Sequence, residues 1–254
     1  MLLVAVSAPV LGAIADLRGS RKRFLFLFCY AGVVATGFLF LVVPGDIWLA
    51  IVFYLLASAC LEWSLALYNS FLPEIAPREQ MGRISGFGWA LGYVGGVLCL
   101  VFAMAMIRWP DWFGIPDSEY LPVRATVLLV ALWWGLFSIP TFLWLRERST
   151  GRELPPGTSY LRVGLQRLLH TFRKINQFQE LGKFLVAFLI YNDGVQTVIV
   201  MAAIFGAEVL GMSQDELILC FILTHLVAIL GSLLLGYLGD RMATKRAINI
   251  TLLV

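Results

Sequence analysis

The chain has 254 residues, 60% of them hydrophobic and only 14% charged, with a mean hydropathy of +0.85. Soluble domains run at about half apolar and a quarter charged, so this chain carries more apolar surface than one aqueous core can hide; a single soluble domain is excluded and a multi-span integral membrane protein is implied. The net charge of +3 is small, and what it means depends on where the charges fall.

Apolar runs separated by short polar breaks predict helical spans over about 1–15, 24–43, 47–68, 84–107, 123–145, 184–206 and 216–238, with an eighth starting near 247. A crossing helix needs roughly 20 apolar residues. The first run is short for that and the last has barely begun, so both ends are expected to cut through helices of a longer protein. The first run has no basic segment before it, which argues against a cleaved signal peptide.

The loops between these runs alternate in charge. Arg18, Arg21, Lys22 and Arg23 fill the first, Arg78 and Arg83 lie in the third, eight bases lie in the fifth, and Arg241, Lys245 and Arg246 lie in the seventh. The even loops hold only Arg108 and Arg124 among several acids. Bases collect on the cytoplasmic side, so residue 1 is expected on the outer side. These bases serve topology, and no nucleic-acid partner is implied.

The long fifth loop divides the chain. Residues 1–145 are expected to form an N-terminal transmembrane bundle lacking its first helix. Residues 146–183 are expected to form a cytoplasmic linker, and 184–254 the start of a truncated second bundle. The linker opens with Pro155, Pro156 and Gly157, then places Leu161, Leu165, Leu168, Leu169, Phe172 and Ile175 at helical spacing among bases. That pattern suits an amphipathic helix lying on the inner membrane surface.

Several polar groups fall inside the spans. Glu62 shares a helix face with Ser58, Leu65 and Asn69, and an intramembrane acid demands a partner or a wet cavity. His225 lies midway along its span and can change charge near neutral pH. Asn192, Asp193, Gln196 and Thr197 pair at four-residue steps, and Asp193 lies roughly 15 Å deep counted from Lys183. Gly194 weakens the helix there, and these groups are expected to form a polar face lining a cavity for substrate or a coupling proton, as transporter sites often do at interrupted helices, the alternative being an internal network that stabilises a kinked helix. Gly88, Gly92 and Gly96 form a GxxxGxxxG ladder expected to bring two helices close. Cys29, Cys60, Cys99 and Cys220 lie in apolar runs without metal-ligand spacing. Neither a metal site nor an enzyme motif is present in the sequence, and no cofactor is implied.

Two loops repeat. Gly12, Asp16, Arg21 and Lys22 match Gly236, Asp240, Lys245 and Arg246 in spacing, side and place within each half. This predicts two homologous bundles in parallel. A carboxylate at such a site can pair with bases or with a helix N-terminus in one packing and release in another, a conformational latch. With Gly19 the first copy reads G-x3-D-x2-G-x-[RK]-[RK], which resembles the loop motif of the major facilitator superfamily. Leu17 stands where that motif has a base, and Ala243 replaces the glycine of the second copy. The resemblance implies an all-α major facilitator fold of two six-helix bundles, here incomplete. It places this chain from the second helix to the start of the ninth.

Three further stretches, YNSFLPEIA at 68–76, GRISGFGWALGYVGG at 82–96 and YNDGVQTV at 191–198, are similar to the vacuole effluxer-like, autophagy-related permease family. That resemblance implies a permease for a small solute, amino acids or another small metabolite, working by alternating access with or without a coupled proton or ion. It implies a cell (inner) membrane location in a bacterium and a vacuolar one in a fungus. A non-transporting membrane receptor or scaffold of the same fold is the alternative.

Overall fold

The computed structural model describes residues 2–116, 118, 120–147, 163, 166, 179–242, 246, 248 and 249. Among them the regular structure is helical, with no strand. The α-helices are α1 (Leu2–Arg18), α2 (Arg21–Phe38), α3 (Ile47–Ser70), α4 (Leu72–Ile75), α5 (Met81–Arg108), α6 (Leu121–Trp144), α7 (Gln179–Glu208) and α8 (Gln214–Arg241). Short 3-10 turns lie at Leu39–Leu41, Arg78–Gln80 and Pro110–Phe113. Six helical stretches are long and apolar enough to cross a bilayer. They fall on the six apolar runs expected between residues 24 and 238. The linker's amphipathic stretch lies outside the described residues apart from Val163 and Gln166.

The chain forms two compact units, one of residues 21–148 and 221–254, the other of residues 2–20 and 149–220. In the first, α2 packs against α3 and α6, and α5 packs against α6. The crossings are built from small side chains. Cys29, Gly32 and Ala35 of α2, Cys60 and Ser64 of α3, and Ala131 of α6 are buried. A Cβ on Gly32 would run into the Trp134 ring and come within 3.1 Å of the Cys60 Cβ. Lipid is as apolar as leucine, so helices in it associate by close van der Waals packing, which favours small residues at crossings. Large apolar side chains point outward instead. Trp48, Trp112 and Trp144, all near span ends, are 82%, 78% and 79% exposed, as expected of residues at the membrane–water boundary. Ser64 is the one buried polar side chain of the described core, and its Oγ donates to the Cys60 carbonyl at 2.7 Å.

The second unit shows why its loops carry glycine. Gly19 follows α1 with φ +57°, a left-handed conformation that a Cβ opposes. Its N–H donates to the Asp16 carbonyl at 3.2 Å, and the Ser20 N–H donates to the Ala15 carbonyl at 3.0 Å. This pair of bonds is a Schellman ending that satisfies the last carbonyls of α1. Between α7 and α8 the chain turns through Gly211, φ +64°. Ser213 and Glu216 then open α8 as a capping box: the Ser213 N–H and Oγ–H donate to Glu216 Oε2 at 2.7 and 2.8 Å, and the Glu216 N–H donates back to Ser213 Oγ at 3.3 Å.

Candidate functional site

Two helix N-termini carry the charge chemistry at one end of the first unit. The first four N–H groups of any helix lack partners within it, and the helix end is partly positive. Gln80, which precedes α5, makes no side-chain cap. Asp240, in the last turn of α8, supplies one instead. Its Oδ1 accepts from the Gly82 N–H at 2.7 Å and its Oδ2 from the Arg83 N–H at 2.9 Å. A carboxylate at a helix N-terminus contributes about 0.3–1 kcal/mol, up to about 2 kcal/mol when half-buried.

The helices can meet there because both lack side chains at the crossing. A Cβ on Gly82 would lie 2.6 Å from Asp240 Oδ1 and 2.8 Å from the Gly236 carbonyl. One on Gly86 would lie 3.0 Å from the Gly236 Cα and collide with the Ser232 carbonyl. Further along, Gly96 leaves space for His225, whose Cδ2 and Nε2 lie 2.8 and 3.0 Å from where a Cβ would be. The Tyr93 and His225 rings meet edge to face at 5.5 Å. Arg83 and Arg241 lie over the Tyr237 ring at 5.0 and 4.4 Å, within cation–π range. Gly82, Gly86, Tyr93 and Gly96 thus form one stripe of α5.

Of the expected ladder, Gly96 alone falls on this stripe among the described residues. Gly96 belongs to the crossing, but a Cβ on Gly92 would meet nothing within 4 Å, and one on Gly88 only the Tyr68 hydroxyl at 3.8 Å. Both face a cleft of about 230 Å³, lined also by Leu65, Tyr68, Asn69, Ser85 and Trp89. The close approach falls on the earlier pair Gly82 and Gly86, itself a GxxxG, matched by the small-residue pair Ser232 and Gly236 on α8. That double pattern was the signal available in the sequence.

The second N-terminus is that of α2. Its first turn is basic, Arg21, Lys22 and Arg23, which opposes the helix dipole. Glu147, just past α6, answers it: its Oε1 accepts from the Arg21 N–H at 2.6 Å and its Oε2 from the Lys22 N–H at 3.3 Å. The side chains then tie in two more helices. The Arg21 guanidinium donates to Glu74 and, at 3.2 Å, to the Ser70 carbonyl, and it lies 5.3 Å from the centre of the buried Phe71 ring. Lys22 Nζ donates to the Leu145 carbonyl at 2.6 Å. Arg21 and Lys22, expected in a latch, therefore join α2, α3, α4 and the end of α6 within the first unit. Of the other loop residues, Asp16 is exposed, Gly12 has open space around a would-be Cβ, Arg246 is exposed, and Lys245 lies outside the described residues.

The intramembrane polar groups are more open. Asn192, Asp193, Gln196 and Thr197 are all exposed on α7. Around Gly194, α7 is one helix from Gln179 to Glu208, and the Thr197 hydroxyl donates to the Asp193 carbonyl at 2.8 Å. Without water, a broken turn would strand backbone N–H and C=O groups, a cost larger than glycine's low helix propensity. Glu62 is half-buried on α3. Its face continues to Leu65 and Asn69, which line the cleft. The His225 Nδ1 lies 2.8 Å from the Phe221 carbonyl.

A chain with six apolar helices of membrane-crossing length, joined at small-residue crossings, is a multi-pass integral membrane protein. Residues 1–254 match the family described as "Vacuole effluxer Atg22 like", and the chain belongs to that family. Among its relatives is a protein of Bacillus subtilis named "Uncharacterized MFS-type transporter YxiO", 30% identical over 99% of this chain and 58% of that protein. "Autophagy-related protein 22-1" of Penicillium rubens is 24% identical over 94% of this chain and 51% of its own length. "Autophagy-related protein 22" of Yarrowia lipolytica is 23% identical over 96% and 53%. The chain thus spans little more than half the length of these relatives. No solved structure matches it.

Proposed function

We propose that the full-length protein is a permease that moves a small solute, amino acids or another small metabolite, by alternating access. The family and the relative named as an MFS-type transporter support a permease in general. The observation that carries the mechanism is the crossing of α5 and α8, where a carboxylate holds a helix end that has no cap of its own. In this reading Asp240, Gly236 and the stripe on α5 close the inner side, and breaking the cap opens it. Asp193, Asn192, Gln196 and Thr197 present a polar face at membrane depth, and with Glu62 and His225 they serve substrate or a coupled proton. Asp193 is the group expected to hold a substrate ammonium or the proton.

Reconstitution tests this. Full-length protein in liposomes takes up labelled amino acids, and Asp193→Asn either abolishes uptake or removes its pH dependence. Uptake with unchanged rate and pH dependence in Asp193→Asn removes Asp193 from the site. No uptake of any solute, despite solute-specific thermal stabilisation, favours a receptor or scaffold.

A further inference from the structure

Where α5 begins and α8 ends, one aromatic ring carries two guanidinium groups. Arg83 stands in the first turn of α5 and Arg241 closes α8. Their guanidinium carbons lie 5.0 and 4.4 Å from the centre of the Tyr237 ring, both within cation–π range. Both arginines are exposed, and neither makes an ion pair among the described residues. Asp240 precedes Arg241 in the chain, but its two carboxylate oxygens accept from the Gly82 and Arg83 N–H groups instead. Two cations from two helices are thus gathered on one ring with their charge unpaired. Like charges repel, and a ring face at an exposed site offsets little of that repulsion. Both arginines also mark the limits of membrane crossings, which run over Arg78–Arg108 and Gln214–Arg241. One turn further into each span the side chains are apolar and exposed: Phe87 follows Arg83 by four residues, and Leu233 and Leu234 precede Tyr237 by four and three.

We propose that Arg83 and Arg241 form a binding site for the phosphate of an anionic phospholipid, held at the membrane boundary across the crossing of α5 and α8. A guanidinium presents a planar fork of N–H donors that matches phosphate oxygens, and a phosphate beside the pair relieves the repulsion between the two cations. Depth selects a lipid over a free anion. The pair stands at the level of headgroups, and Phe87, Leu233 and Leu234 continue below it as a surface for acyl chains. Phosphatidylcholine offers the same phosphate but brings a cation of its own, which the two arginines oppose; phosphatidylglycerol brings none. Because one arginine comes from each helix, a bound headgroup favours the closed crossing over the open one. Only that last effect rests on the permease reading; the lipid site does not.

The test titrates full-length protein in detergent with phosphatidylglycerol or with phosphatidylcholine of the same chain length, and follows retained lipid by native mass spectrometry. The wild type should prefer phosphatidylglycerol about tenfold or more. Arg83→Gln and Arg241→Gln should each lower that preference about fivefold. Tyr237→Leu keeps both charges but removes the ring that gathers them, and should lower it by a similar factor. Arg78→Gln, which removes an exposed base outside the pair, should leave it unchanged. Millimolar inorganic phosphate should not displace the bound lipid. Equal retention of the two lipids, a preference that survives Arg83→Gln and Arg241→Gln, or one that falls as far with Arg78→Gln overturns the proposal. Full preference in Tyr237→Leu overturns it too, since only a general attraction of bases to an anionic surface would then remain. Displacement by inorganic phosphate overturns the assignment to a lipid. The readout is retained lipid, so failure of the uptake assay leaves the site standing, and failure of the site leaves uptake untouched.

Discussion

The starts of α2 and α5 face the same problem and solve it with the same chemistry, but with different backing. Each is a helix N-terminus capped by a carboxylate from a distant segment, Glu147 for α2 and Asp240 for α5. Around Glu147 the bonds multiply. Arg21 reaches Glu74 and Ser70, and Lys22 reaches Leu145, so three helices and a connecting turn are held together. Around Asp240 the partners are two backbone N–H groups and a bare glycine crossing. A cap embedded in a network is hard to remove without unfolding its neighbours, because each lost acceptor strands several donors. A cap that stands on two backbone bonds can release and re-form. The same interaction thus stands within a network in one place, which we read as a clasp, and on two backbone bonds in the other, which we read as a latch.

Steric change should break this contrast most strongly. Gly86→Leu places a large side chain against the Ser232 carbonyl and the Gly236 backbone. The closed crossing cannot form, and transport by the full-length protein should fall at least tenfold, about 1.4 kcal/mol or more in the transport cycle. Its thermal stability should change less than its rate, and a liposome flux assay beside a thermal melt checks both.

The clasp should show the opposite split. Glu147→Ala leaves two helix N–H groups without an acceptor amid bases, and should cost about 1–3 kcal/mol in stability. A melt of the detergent-solubilised protein would reveal this, with residual folded protein transporting near the wild-type rate. The smallest effect belongs to Asp240→Asn. It keeps a hydrogen-bond acceptor but loses the charge, and should cost about 0.3–1 kcal/mol, read as a two- to fivefold shift toward the open crossing with little change in melting temperature.

Much of this was legible in the sequence, for physical reasons that differ by feature. The spans follow from the length of the apolar runs, because a bilayer sets the length of what crosses it. Gly19 was legible only as a member of the loop motif, and its left-handed φ of +57° is what the structure adds. Asp240 was legible as a carboxylate suited to a helix N-terminus, but not as the cap of α5, which lies 158 residues away in sequence. Nothing local encodes such a partner. The ladder at Gly88, Gly92 and Gly96 left its partner unnamed, because glycines four apart mark a helix face without saying what meets it. The same stretch carries Gly82 and Gly86, and only the matching small residues on α8 distinguish the two faces. α7 runs through Gly194, because propensities measured in water overstate how readily glycine breaks a helix in lipid.

The contrast between the two caps is tested most directly by distance, on labels at Phe87→Cys and Leu235→Cys near the inner ends of α5 and α8, both exposed positions. In the full-length protein, Asp240→Asn should move the distribution toward longer distances while the melting temperature holds. Glu147→Gln should lower the melting temperature while leaving that distribution unchanged. A distribution that moves with Glu147→Gln and stays fixed with Asp240→Asn would contradict the assignment of clasp and latch.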